Sequence, residues 1–284
     1  MTPNLDYTIR TMTRQEVDIA IAWAANEGWN PGLEDAECFY RADPEGFLIA
    51  LLDNKPVAAI SAVKYGSSYG FIGLYIVLPE YRTRGAGFLI GRAALKRLEG
   101  RTIGLDGVLE RQENYRRLGF SFAYSNIRYE GFGRDLKPLH QGIKPLSGLP
   151  FETVLAYDKP FFPDDRSGFL KCWTSRESTT ALGIMDDGRL AGYGVIRPCR
   201  AGFKIGPLFA DRPEFAEELF CALTASVPEG VPVYLDIPEP NSAATELVQR
   251  HGMNVVFKTA RMYMGQHPQL PIEKVFGITT FELG

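Results

Sequence analysis

The chain has 284 residues, 45% of them hydrophobic and 23% charged, which supplies a sizeable core and room for about two domains and excludes intrinsically disordered and fibrous classes. A formal net charge of −3 gives no overall cationic field for a polyanion, so nucleic acid is not expected as a partner, whereas a cationic amine is tolerated. No run approaches ~18 uninterrupted apolar residues and the first residues carry no basic segment followed by an apolar stretch, so no membrane partner is expected and a cytoplasmic location is.

Residues 7–10 alternate like a short strand. Thr13-Arg14-Gln15-Glu16 is a capping box, and Val17, Ala20, Ile21 and Ala24 follow at helical spacing, which predicts a helix over 14–26 that stops at Gly28 before the Asn30-Pro31-Gly32 turn. A second helix over 33–41 ends before Pro44. Three runs rich in β-formers, 47–52, 57–65 and 69–77, are joined by links short enough for an antiparallel meander. Over 87–99, Ile90, Ala94, Leu95 and Leu98 share one helical face; a strand over 102–106, a helix closed by Gly119 and a strand over 120–129 follow. Pro138, Gly142, Pro145, Gly148 and Pro150 mark 136–150 as a linker between a domain over 1–135 and a second over 151–284. The second domain repeats the order of the first, with strands at 180–185, 190–196 and 203–209, a helix at 213–226, a strand at 231–236, a helix at 242–250 and a strand at 253–264. Two copies of one topology account for that order.

From Leu74 to Gly87 the chain reads as a buried strand, a short turn and a basic, glycine-bearing helix start. Its physical content is an anion site. Gly85 and Gly87 let backbone N–H groups face a ligand with no Cβ in the way, and the helix start adds unsatisfied donors and the positive end of its dipole. Arg82 and Arg84 add charge-assisted bonds, so a pyrophosphate fits. There is no GxxxxGK[ST]. A dinucleotide site would use Gly85, Gly87 and Gly91 with Asp106, but residues 78–84 separate the strand from the first glycine, and the upstream meander conflicts with a parallel βαβ unit.

At these residues the chain resembles the GNAT superfamily of N-acetyltransferases, whose acyl-CoA loop has the form [Q/R]-x-x-G-x-[G/A]; Arg82-Thr83-Arg84-Gly85-Ala86-Gly87 matches every fixed position. The resemblance implies an α/β (α+β) fold of two tandem GNAT-like domains, each a twisted, mainly antiparallel sheet flanked by helices. It implies acetyl-CoA as acyl donor, no metal, and transfer of the acetyl group to a primary amine of a small molecule by direct attack. The backbone of Ile76 and Val77 would pair with pantetheine, and the amides around Arg82, Thr83, Arg84, Gly85, Ala86 and Gly87 would hold the pyrophosphate. Tyr115-Arg116-Arg117-Leu118-Gly119-Phe120 matches the C-terminal half of a second family pattern, which makes Tyr115 the general acid that protonates the leaving thiolate; Val108 and Arg111 depart from that pattern. In the second copy Asn241, Ala244, Leu247 and Gly252 keep the spacing, but Val248 replaces the tyrosine and Ala210-Asp211-Arg212-Pro213-Glu214 carries no glycine. That copy is degenerate and is expected to bind no CoA.

The family places the acceptor near the loop after the first helix, where Glu27, Trp29, Asn30 and Asp35 offer aromatic and carboxylate partners for an alkylammonium. Glu27, Glu34 and Asp35 are the candidate general bases, and Asp236 and Glu239 would give the second domain a negative rim. Cys38, Cys172, Cys199 and Cys221 form no CxxC and His140, His251 and His267 no HExxH, so reduced, metal-free cysteines are expected, and Cys38 lacks the partner an acyl nucleophile needs. Two readings of other kinds stay open: a non-catalytic acyl-CoA sensor or assembly module, and acetylation of a protein lysine or N-terminus. The oligomeric state is not legible.

Overall fold

In the computed structural model, which describes residues 6–134 and 142–284, the capping box forms as written. Glu16 N–H donates to Thr13 Oγ1 (3.3 Å) and Thr13 N–H to the Glu16 carboxylate (2.8 Å), starting α1 (Arg14–Asn26) after β1 (Tyr7–Thr11). The helix α2 (Asp35–Ala42) precedes the expected meander of β2 (Phe47–Leu52), β3 (Lys55–Tyr65) and β4 (Tyr69–Val77). The first half ends with α3 (Ala86–Arg97), β5 (Thr102–Val108), α4 (Gln112–Arg117) and β6 (Ser121–Phe132).

Of the expected linker, residues 136–141 lie outside the described residues, and the rest is ordered structure. β7 (Ile143–Pro145) pairs with β8 (Thr180–Asp186), and between them lie α5 (Phe151–Asp158) and α6 (Ser167–Thr174). These helices escape periodicity because they are only eight residues long and α6 buries Phe169, Leu170, Cys172 and Trp173, leaving little polar face. β9 (Arg189–Pro198), β10 (Phe203–Ala210), α7 (Pro213–Thr224), β11 (Pro232–Pro238), α8 (Ser242–Arg250), β12 (Asn254–Met264) and β13 (Val275–Gly277) complete the chain.

The two repeats share one mixed sheet with the order β1-β2-β3-β4-β5-β12-β6-β11-β10-β9-β8-β7, so each half lends its late strand to the other. β12 lies between β5 and β6, and β6 lies against β11. Register places Arg261 opposite Asp106 and Arg128 opposite Asp236, and both pairs close as buried two-pronged ion pairs with N–O distances of 2.6–2.9 Å. Removing one member of such a pair typically costs about 3–5 kcal/mol, because the survivor is left charged and dry.

A third buried pair, Arg197 with Asp35 (2.8 Å), ties β9 to α2. Cys38 of α2 and Cys172 of α6 form a disulfide between the halves, which corrects the expectation of reduced thiols at those positions; Cys199 and Cys221 are free. Across 134 residues the chain-entropy model gives such a link about 5 kcal/mol. Sequence spacing carries no signal for it, because the two cysteines meet only when α2 packs on α6.

Candidate active site

Parallel pairing between β4 and β5 runs from Tyr69 opposite Thr102 to Ile72 opposite Leu105 and then stops. Beyond it Leu74 takes a left-handed backbone (φ 45°), the β3–β4 register shifts, and the two strands diverge into a wedge. A cleft of about 640 Å³ opens there. The hydrogen bond from Leu78 N–H to Val57 fixes the alternation on β4. Val77 therefore turns its amide toward the open side, while Ile76, opposite Ala59, turns its main chain toward β3. Both residues line the cleft, and of the two only Val77 turns its main-chain groups away from β3 toward it.

The loop after β4 delivers α3 to the mouth of the wedge. Gly85 caps the helix at φ +94° and Thr83 sits at φ 65°. The first bond of the helix, from Leu89 N–H to Gly85 O, leaves the amides of Ala86, Gly87 and Phe88 without intrahelical acceptors. A Cβ at Gly87 would lie 3.1 Å from Val77 Cγ2 and 3.2 Å from the Tyr75 hydroxyl, which itself donates to Gly87 O at 2.6 Å. The missing side chain thus lets the helix start press against β4. Arg82 donates from Nε to Val77 O (3.0 Å) and from Nη2 to Glu27 (2.5 Å). Arg84 is exposed over the Tyr81 ring and Ala86 is buried, so neither side chain lines the cleft.

Tyr115 reaches the cleft from α4. Its ring lies on Gly107, where a Cβ would come within 2.5 Å of it, and burial pushes its phenol up to about 12, with the nearby Tyr75 adding to the shift.

Of the expected acceptor residues, Glu27 and Trp29 line the cleft and Asn30 and Asp35 do not. Asn30 donates to Ala201 O and accepts from Ala201 N–H, stapling the loop to the second half. Asp35 is consumed by Arg197 and by the Gly32 amide. Glu34 pairs with Arg176 and Ser178, so it too is turned away from the cleft. The proposed negative rim is likewise corrected: Asp236 is buried against Arg128, and neither it nor Glu239 lines the cleft. Cys38 is in its disulfide.

The inner end of the cleft is built instead by the second half. Phe257 and Thr259 come from β12, and Phe281 and Glu282 from the C-terminal tail. In the second half the equivalent wedge between β10 and β11 is filled, because β13 pairs with β10 and Ile278 N–H donates to Asp236 O. The chain then continues to the apex of the first wedge, where Glu282 O packs on Gly73.

Two family models match the chain: the acetyltransferase (GNAT) family over residues 15–120 and an acetyltransferase (GNAT) domain over 154–277. Holothin acyltransferase of Pseudoalteromonas sp. (strain SANK 73390) is 31% identical over 278 residues, 98% of this chain and 95% of that one. The chain belongs to the GNAT acetyltransferase family. A second relative, the uncharacterized N-acetyltransferase YitH of Bacillus subtilis (strain 168), is 29% identical over 61% of each chain. Among solved structures, a proposed acetyltransferase from Pyrococcus horikoshii superposes with a TM-score of 0.84 at 26% identity, covering 100% of this chain and 99% of that one. A tandem GNAT protein from the clavulanic acid biosynthesis pathway shares the fold, with a TM-score of 0.65 at 15% identity over 93% of this chain and all of that one. The chain is an acyltransferase of two GNAT-like units in a mixed α/β fold, and no helix among the described residues is long and apolar enough to cross a membrane.

Proposed function

We propose that the first half binds acetyl-CoA and transfers its acetyl group to a primary amine of a small molecule. The observation that carries this reading is the contrast between the wedges: β4 and β5 leave an open slot beside unpaired helix amides, whereas β13 fills the slot between β10 and β11. An extended pantetheine arm would lie in the open slot against Val77, and the pyrophosphate would meet the amides of Gly85, Ala86 and Gly87 beside Arg82 and Thr83. Both halves supply walls to a cleft of about 640 Å³, a size suited to a small acceptor. A relative similar over nearly the whole chain is named for acylating holothin.

In this reading the acceptor nitrogen attacks the thioester carbonyl, whose oxygen is polarised by the Val77 amide. The C–S bond breaks as Tyr115 donates its phenolic proton to sulfur. Because burial holds that phenol up to about 12, it keeps its proton throughout the neutral range. The test is calorimetric titration of acetyl-CoA into the wild type and the Gly85→Glu, Gly87→Glu variant, with thiol release measured over a panel of small amines. Binding lost in the variant and amine-dependent thiol release in the wild type are expected. Unchanged affinity in a folded variant removes the site, and tight binding without turnover on any amine replaces the enzyme reading by the sensor.

A further inference from the structure

An amine that attacks a thioester must shed a proton, and the carboxylates nearest the loop after α1 are already engaged. Glu27 holds Arg82, Glu34 holds Arg176, and Asp35 holds Arg197. Glu282 differs from all three. It lines the cleft while only 3% exposed, and among the described residues no hydrogen bond or ion pair reaches its carboxylate. Its oxygens are not among the sealed, unpartnered polar atoms, so the carboxylate of this otherwise buried residue opens onto the cleft, where a donor can reach it.

The main chain around it is pinned. The amides of Glu282 and Leu283 donate to Thr280 Oγ1 at 2.9 and 3.0 Å, and the Tyr65 hydroxyl donates to Leu283 O at 3.0 Å. A Cβ at Gly73 would stand 2.0 Å from Glu282 O, so the tail reaches the apex of the wedge only because residue 73 is glycine. Arg128 on β6, Arg197 on β9 and Lys204 on β10 all feel the charge of Glu282. Those three cations are met by Asp35 and Asp236 as well as by Glu282. On the β5 side Asp106 is neutralised by Arg261. Thr259 Oγ1, buried and also without a partner, lines the same cleft beside Phe257.

We infer that Glu282, carried on the C-terminal tail of the second half, receives the acceptor's amine in the first half's cleft and takes its proton, and that the acceptor is a primary amine on a flat apolar or aromatic body bounded by Trp29, Phe257 and Phe281. This rests on the acyl-transfer reading above. The amine arrives as an ammonium ion paired with Glu282 and loses its first proton through that carboxylate to solvent. Its freed electron pair forms the C–N bond, and Glu282 takes the second proton that nitrogen sheds. The C–S bond breaks with its electrons going to sulfur, which takes the proton of Tyr115. Glu282 then releases its proton to solvent and Tyr115 regains one, so neutral amine plus thioester gives amide plus thiol. Neither half alone holds both the donor slot and the base.

The experiment uses the full chain with benzylamine as probe. Glu282→Gln should bind acetyl-CoA like the wild type, bind benzylamine at least tenfold more weakly in the presence of CoA, and lose about 10²-fold in kcat at neutral pH. That deficit should shrink as pH rises toward the amine's own pKa, a change that a purely structural role would not produce. Glu282→Asp, which keeps the charge but draws it back by one methylene, should hold benzylamine within a few-fold yet turn over at least tenfold more slowly. Equal benzylamine affinity and an unchanged pH profile in Glu282→Gln overturn the assignment, as do wild-type turnover in Glu282→Asp and a wild type that takes up no benzylamine. If the wild type binds acetyl-CoA and benzylamine without transfer, the acyl-transfer reading fails, while the affinity ratio still decides whether Glu282 receives the amine.

Discussion

Replacing Gly107 by alanine tests the role of Tyr115 without touching its hydroxyl. The added Cβ would lie 2.5 Å from Tyr115 Cε2 and 2.9 Å from Cδ2, against an ordinary contact of roughly 3.5 Å, so the ring must move by about 1 Å. A displacement of that size at a reacting group costs about 10²-fold in rate, while overpacking of the strand costs about 1–3 kcal/mol of stability. The prediction is a kcat about 10²-fold lower for Gly107→Ala, with acetyl-CoA affinity nearly unchanged and a thermal midpoint that remains well above the assay temperature. Tyr115→Phe alone should cost about 10²–10⁴-fold, and adding Gly107→Ala to it should cost nothing more, because the displaced ring no longer carries a proton. The assay is steady-state thiol release at saturating acetyl-CoA, run on the four members of this double-mutant cycle. If Gly107→Ala costs the wild type and the Tyr115→Phe variant the same factor, the reasoning is refuted, since the glycine would then act on something other than the phenol.

Lys204 is buried, donates to Asn30 O at 2.8 Å and is lowered to about 8, chiefly by burial and then by Arg128. Between pH 8 and its unfolded value of 10.5 the unfolded chain binds more protons at this site than the folded one, so its burial penalty is full below pH 8 and fades as pH rises. Relative to wild type, Lys204→Met should therefore be most stable below pH 8 and lose on the order of 3 kcal/mol of that advantage by pH 10.5; a stability difference in urea melts that does not change with pH would contradict this. A fragment of residues 1–134 lacks β12, which leaves Asp106 without Arg261, and lacks β11, which leaves Arg128 without Asp236. It should show no cooperative melt, and a fragment that melts cooperatively and binds acetyl-CoA like the full chain would show that the shared sheet is dispensable.

The strand, turn and helix start between Leu74 and Gly87 were legible because their signals are local, and each glycine's freedom is a property of its own backbone. The capping box at Thr13 was legible for the same reason. Asp35 and Asp236 misled because a carboxylate beside a loop or at a strand end looks solvated until a distant arginine is known to face it, and both arginines lie more than a hundred residues away. A signal did exist. Asp106 and Asp236 occupy matching places on the two repeats, as do Arg128 and Arg261, so one charged pair is written twice. Reading those pairs across the repeats instead of within them would have pointed to the exchange of β6 and β12.

The repeated order, most of the longer helices and the glycine-bearing turn before α3 follow from short-range periodicity, capping and backbone freedom, all of which can be read from neighbouring residues. The partners of buried charges, the Cys38–Cys172 link, and the delivery of Phe281 and Glu282 to a cleft some two hundred residues earlier in the chain were decided only by tertiary structure. The physical reason is register. Once β12 inserts between β5 and β6, every cross-strand neighbour is set by hydrogen-bonded pairing between segments far apart in the chain, and no local preference of Glu282 records that Gly73 leaves space for it.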